Sequence, residues 1–154
     1  MKLVKTLGGQ IALGLVVLIV FIGMAPSCSK TSSTTGGQTS MRIYYLEIVT
    51  KEVDAVCAAY AAANGVQFGK PDPGLGNART AALPGGGLVG IRAPMRESEE
   101  PVVRPYWLVD DIEAAVAAVV KAGGEIAHPP MEIPGHGTFA IYIQGGIQHG
   151  FWQK

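Results

Sequence analysis

Two stretches of this chain carry the same succession of apolar and polar positions. In the second, Arg104–Val109 (RPYWLV) reads as an aromatic strand, and Asp110-Asp111 supply an acidic helix cap. Ile112, Ala115, Val116 and Val119 then recur at i, i+3, i+4 and i+7, one apolar stripe on a helix. Gly123-Gly124 stops it, Glu125–Ala127 resumes an extended chain, and His128–His136 is predicted as a proline-rich loop. In the first, Arg42–Val49 (RIYYLEIV) is a strand, and Thr50 is expected to cap a helix from about Lys51 to Ala63. Val53, Val56, Cys57 and Tyr60 form the buried face of that helix, and Asn64-Gly65 ends it. Val66–Phe68 is predicted as a short strand and Lys70–Asn77 as a Pro/Gly loop. Arg79–Leu83 and Leu88–Arg92 are predicted strands on either side of Pro84-Gly85-Gly86-Gly87. Ala93–Pro101 is charged and aperiodic, which predicts a solvated linker. Thr138–Gln144 and Gln148–Gln153 close the chain as a hairpin across Gly145-Gly146.

Laying Asn64-Gly65 over Gly123-Gly124, an offset of about 59 residues, exposes an internal repeat. Val53 then matches Ile112, Cys57 matches Val116 and Tyr60 matches Val119, while Gly87–Ile91 resembles Gly146–Phe151 once one residue is inserted. Each half is therefore β-α-β-β-β. The predicted fold is α+β: two such modules forming a curved eight-stranded mixed sheet, helices on its outer face and a cleft on its inner face.

Successive strand residues point to opposite faces, so the pattern also selects the cleft side chains. On the first strand Tyr44, Leu46 and Ile48 should face the helix and leave Tyr45 and Glu47 for the cleft. On the fifth, Pro105, Trp107 and Val109 should face the helix and leave Arg104, Tyr106 and Leu108. Gly90 and Arg92 come from the fourth strand, and Gln148, Gly150 and Trp152 from the eighth. The candidate ligand-binding residues are thus Tyr45, Glu47, Arg92, Arg104, Tyr106, Gln148 and Trp152. Aromatic groups with a few charges suit a small organic ligand bearing an anionic or polar group. An Arg104–Glu47 ion pair is expected, with Arg104 or Arg92 presenting a fork to a ligand carboxylate or phosphate.

Composition narrows the partners. The net charge is zero and the pI about 6.8, without the basic stripe that nucleic-acid binding requires. Mean hydropathy is +0.28, much of it from residues 11–26. Lys2 and Lys5 precede the uncharged run Ile11–Ala25, about 22 Å as a helix against the ~30 Å hydrocarbon core, which suits a signal-peptide core better than a membrane span. Ser29–Ser40 is a Ser/Thr/Gly tether. Residues 1–28 are therefore expected to be a signal peptide, 29–40 a linker and 41–154 the folded domain; translation from Met41 would leave the domain cytoplasmic. Cys57 falls on an apolar helix face and is expected to be a buried thiol, not a partner for Cys28.

Met24-Ala25-Pro26-Ser27-Cys28 resembles a bacterial lipobox, departing from it at Ala25, where leucine is preferred. That resemblance implies lipidation at Cys28 and a membrane-anchored protein of the cell envelope. Residues 41–154 resemble the vicinal oxygen chelate superfamily, which includes glyoxalase I, ring-cleaving dioxygenases and bleomycin-resistance proteins. The resemblance rests on Tyr106–Ala115, Gly123-Gly124-Glu125, Pro129–Gly135 and Gly150–Gln153. It implies metal ligands (His, Glu or Gln) on the first, fourth, fifth and eighth strands, at the positions of Tyr45, Gly90, Arg104 and Gly150. None of these is a normal divalent-metal ligand, so no metal and no cofactor is expected there. His128, His136 and His149 with Glu132 show no recognised ligand spacing. Paired modules, homodimers among them, are common in this superfamily. The first expectation is a metal-independent small-molecule binding domain. A lyase, isomerase or dioxygenase with a metal on off-pattern ligands, and an interaction module with a vestigial cleft, are the alternatives.

Overall fold

The computed structural model describes residues 41–154, so the signal peptide, Cys28 and the linker lie outside the described residues. The first module is β1 (Ile43–Val49), α1 (Val53–Asn64), β2 (Pro71–Asp72), β3 (Ala78–Ala82) and β4 (Leu88–Arg92). The second is β5 (Val102–Leu108), α2 (Ile112–Lys121), β6 (Glu125–Ile133), β7 (Gly137–Gln144) and β8 (Ile147–Gln153). The eight strands form one mixed sheet in the order β2-β3-β4-β1-β5-β8-β7-β6. β1 runs antiparallel to β5 at the centre, and each is flanked by a parallel strand, β4 and β8. The repeated β-α-β-β-β pattern is therefore realised twice, related across the β1/β5 seam.

Both helices sit where the sequence pattern puts them. Val53, Val56, Cys57 and Tyr60 of α1 pack against Ile48, Ala81, Val89 and Ile91, and burial raises the Cys57 thiol pKa. Asp111 caps α2 by accepting from Ala114 N at 2.9 Å, which satisfies one orphan donor and places negative charge at the helix start. At the other end Gly123 takes φ 82°, and Gly124 N donates to Val119 O at 2.9 Å, closing the last turn.

Five local expectations are corrected. Helix α1 begins at Val53, not Lys51: Thr50 Oγ1 accepts from Glu52 N at 3.1 Å in a turn ahead of the helix, and Glu52, with non-helical backbone, takes the N-cap position without a side-chain cap bond. Val66–Phe68 is not a strand; the second strand is Pro71–Asp72, inside the expected loop, followed by a 3-10 turn over Pro73–Leu75. Pro129-Pro130 do not end a strand: β6 runs to Ile133 through two register shifts. Proline lacks an N–H to donate, and β6 is an edge strand, where that loss is tolerated. Tyr44 does not turn to the helix: a register irregularity between Ile43 and Tyr45 brings its ring to 5.6 Å from Trp152. Finally, Ala93–Pro101 is not merely solvated, since Glu99 reaches into the sheet.

The two ends of the sheet meet. His136, in the β6–β7 turn, lies 3.2 Å from Asp72 of β2, so the sheet curls far enough to bring the turn after its last strand to its first.

Candidate functional site

The central strands deliver a row of charged groups to the concave face. Register aligns Glu47 with Gly90 on one side and with Arg104 on the other. Glu47, Arg92 and Arg104 are 6%, 4% and 5% exposed, a density of buried charge that survives only when every group is paired. Glu47 accepts from Arg92 Nε at 2.7 Å, from the Tyr106 hydroxyl at 3.0 Å, and from Arg104 Nη1. Arg104 also donates to Gln148 Oε1 through Nε at 3.1 Å and through Nη2. The expected Arg104–Glu47 pair is present, with Arg92 as its third member.

The network continues into the segment the sequence pattern assigned to solvent. Arg92 Nη1 and Nη2 donate to the two oxygens of Glu99 at 2.9 and 2.7 Å, and Met95 N donates to the same carboxylate at 2.7 Å. Glu99 is a site residue that sequence reasoning missed. Its one signal was an acidic residue seven positions after a cleft arginine, and a charged aperiodic run carries no information about which carboxylate folds back. Hydrogen bonding to Arg92 holds the Glu99 carboxyl down at about 2, while the two carboxylates outweigh the burial that would lower the Arg92 pKa. A depressed carboxyl contributes stability above its unfolded value of 4.5 and loses it as pH falls toward 2. The stability difference between wild type and Glu99→Gln, measured by thermal unfolding, should therefore shrink as pH is lowered from about 6 to about 3.

Above the charged row lies an aromatic layer. Tyr45, Tyr106 and Trp152 are buried with ring centroids 5.3–5.8 Å apart, backed by Phe139. Trp152 Nε1 donates to His136 O at 3.0 Å, which fixes the indole. Burial, with Glu47 second, raises the pKa of both Tyr45 and Tyr106 well above the usual phenol value, so both stay protonated donors. The Tyr106 proton goes to Glu47. The Tyr45 hydroxyl is buried and has no partner.

These groups line a cavity of about 540 Å³. All seven sequence-derived candidates border it: Tyr45, Glu47, Arg92, Arg104, Tyr106, Gln148 and Trp152. Leu108, expected on the same strand face, is not among the residues that line it. His128 is, stacked on Phe139 at 4.9 Å with Nδ1 2.7 Å from Pro129 O. His149 faces away, stacked on Tyr142. Among the described residues no three His, Cys, Asp or Glu side chains converge as a metal-binding group.

Sequence and structure comparisons set this geometry among known proteins. No family model matches the chain. The mycobacterial "Putative glyoxylase CFP32" of Mycobacterium bovis and of Mycobacterium tuberculosis is 33% identical over 88 residues. The match takes in 54% of this chain and 34% of that protein, so the chain spans about a third of its relatives' length. Among solved structures, the hypothetical protein BH1468 of Bacillus halodurans C-125 superposes with TM-score 0.61 at 16% identity, over 75% of this chain and 95% of that one. Methylmalonyl-CoA epimerase from Mycobacterium tuberculosis gives 0.57 at 14% identity, over 72% and 86%. The Streptomyces coelicolor epimerase, in complex with 2-nitronate-propionyl-CoA, gives 0.54 at 17% identity, over 73% and 96%. The chain has the vicinal oxygen chelate fold.

The four positions that the resemblance assigns to metal ligands, on β1, β4, β5 and β8, fail here for a steric as well as a chemical reason. The Tyr45 ring lies on Gly90, where a Cβ would stand 2.0 Å from its hydroxyl oxygen. The Tyr106 ring lies on Gly150, where a Cβ would stand 2.1 Å from Cδ1. A ligand side chain cannot grow from either glycine while the tyrosines hold their places. The third position is Arg104, a cation. The residues present do not fit a divalent metal in this constellation; two tyrosines over two glycines, with the Arg92–Glu47–Arg104 row beneath them, take up its space.

Proposed function

We propose that the cleft binds a small organic ligand bearing an acceptor oxygen, without a divalent metal. The observation that carries this reading is the Tyr45 hydroxyl: a protonated donor, buried and unpartnered, on a side chain that lines the cavity. A buried donor left unsatisfied costs about 1–3 kcal/mol, which a ligand carbonyl, carboxylate or hydroxyl oxygen would offset. Phe139, Ile133, Ile141 and Trp152 supply an apolar wall for the body of such a ligand. The likeness to a putative glyoxylase and to epimerases that act on a thioester supports a small carbonyl compound as the class.

Two measurements test this. Elemental analysis of the purified full chain, never exposed to chelator, should find less than stoichiometric zinc, nickel, cobalt or iron; one tightly held metal per chain would overturn metal independence and favour a metal-dependent enzyme. Thermal-shift screening against small aromatic acids and ketones should then find stabilisers, since a ligand at about 100 times its Kd adds about 2.7 kcal/mol. Tyr45→Phe should weaken the best of them roughly five- to tenfold, the worth of about one hydrogen bond. Unchanged affinity would remove Tyr45 from ligand recognition. For the segment before the domain we propose lipidation at Cys28 and a place in the bacterial envelope; an unmodified N-terminus at Met41 in the native protein would end that proposal.

A further inference from the structure

Glu99 occupies a built anion site. The Arg92 guanidinium meets it as a two-pronged fork, and Met95 N supplies a third donor to one of the same oxygens. Arg92 is itself buried, held from behind by Glu47, and borders the cavity. Such a fork recognises any carboxylate of the right approach, and nothing in its geometry selects a side chain of its own chain.

The segment that carries Glu99 is held by little else. Between β4 and β5, residues 93–101 form neither helix nor strand, and most of them are exposed. Among the described residues, the hydrogen bonds that tie this segment to the sheet run through the Arg92 guanidinium, to Glu99 and to Ala93 O. The remaining bonds, Met95 N to Glu99 and Glu99 N to Arg96 O, are internal to the segment. One carboxylate therefore fastens a strap across one wall of the cavity, where Met95, Arg96, Ser98 and Glu99 all border it.

Charge balance says how an anionic ligand would enter. The buried row holds two arginines, Arg92 and Arg104, and two carboxylates, Glu47 and Glu99. A further carboxylate beside them would be a third buried negative charge without a matching cation, which is costly. Arg96 does not supply one, because it is exposed and rides on the strap. Exchange of Glu99 for a ligand carboxylate keeps the count at two and two and returns Glu99 to water.

We propose that the Arg92 guanidinium forms a carboxylate-binding subsite of the cleft, that Glu99 fills it as an internal stand-in, and that an organic acid binds by displacing Glu99 and releasing residues 93–101. This rests on the proposed binding role of the cleft and adds to it the ligand class and a built-in competitor. A carboxylate tethered seven residues from its arginine acts at an effective concentration in the millimolar range, so it excludes weak acids and admits ligands that also use the aromatic wall.

The test uses the full chain, wild type and Glu99→Gln, with benzoate as the anionic probe and benzamide as its neutral counterpart. Binding is read from tryptophan fluorescence, to which Trp152 in the cavity wall contributes, and strap release from the rate of tryptic cleavage after Arg96. Glu99→Gln should bind benzoate about tenfold more tightly than wild type and benzamide equally. Saturating benzoate should accelerate cleavage after Arg96 in the wild type severalfold, and Glu99→Gln should show that faster rate without ligand. Equal benzoate affinity in the two proteins, or protection of Arg96 by benzoate, would overturn the displacement; if benzamide still binds, the cleft remains a binding site with a different anchor. Absence of binding by either probe to either protein would overturn both the subsite and the small-aromatic-ligand reading of the cleft.

Discussion

Replacing Glu47 with alanine should destabilise the domain by about 3–5 kcal/mol, the largest effect of any single polar substitution in the cleft. Glu47 is the one carboxylate shared by Arg92, Arg104 and the Tyr106 hydroxyl, and it is itself buried. Its removal leaves two guanidinium groups facing each other in a site from which water is largely excluded. Arg92 keeps Glu99, but Arg104 keeps only neutral acceptors, the Gln148 oxygen and the Tyr106 hydroxyl at 3.4 Å. Urea unfolding followed by circular dichroism measures the loss, and the melting temperature should fall by more than about ten degrees. Glu47→Gln should cost less, because the amide oxygen still accepts. A double variant, Glu47→Ala with Arg104→Met, should be less destabilised than the sum of its parts, since it removes a charge together with its counterion. A loss below about 1 kcal/mol for Glu47→Ala would mean that water or Glu99 replaces the carboxylate, and that the row is not a closed network.

The second large effect is expected at the two glycines under the tyrosines. Gly90→Ala and Gly150→Ala should each cost about 1–3 kcal/mol, although alanine is ordinarily a mild substitution in a strand. Neither glycine needs an unusual backbone angle; what each needs is the space above its Cα. At Gly90 the new methyl would meet the Tyr45 hydroxyl, Cζ and Cε2 at 2.0–2.6 Å, and at Gly150 it would meet the Tyr106 ring at 2.1–2.6 Å. Truncating the covering ring should relieve the clash. Gly90→Ala should therefore cost less in a Tyr45→Ala background than in the wild type, by an interaction of about 0.5–3 kcal/mol. Strict additivity would show that the Tyr45 ring moves aside freely, and would reopen the Gly90 position to a larger side chain.

Much of this architecture was legible along the chain. The helix stripe through Ile112, Val116 and Val119, and its counterpart through Val53, Cys57 and Tyr60, needed only a 3.6-residue period and glycine stops. The alternation in β1, β4, β5 and β8 selected seven cavity residues because strand side chains have no choice but to alternate. Three of the misreadings share one origin, which is that the competing effect was non-local. Pro129-Pro130 read as a loop because their position on a sheet edge is a property of strand order, not of the residues. Tyr44 left its predicted face because of a bulge against β5, more than fifty residues away in the chain. Glu99 is one of three glutamates within four residues, Glu97, Glu99 and Glu100, and only the approach of Arg92 singles it out.

Period, capping and repetition within the chain thus determine the two modules, the face each helix buries, and which strand residues look inward. These depend on local geometry that every L-polypeptide shares. Which inward residues touch was decided by tertiary structure alone, because the seam between β1 and β5 sets Glu47 beside Arg104 and the parallel β4 brings Arg92 to the same carboxylate. The same assembly lays each tyrosine ring over a glycine on the adjacent strand and leaves one hydroxyl without a partner. Burial turns these contacts into requirements, since a charge or a donor far from water must find its partner within a few ångströms, and only the folded sheet determines who stands there.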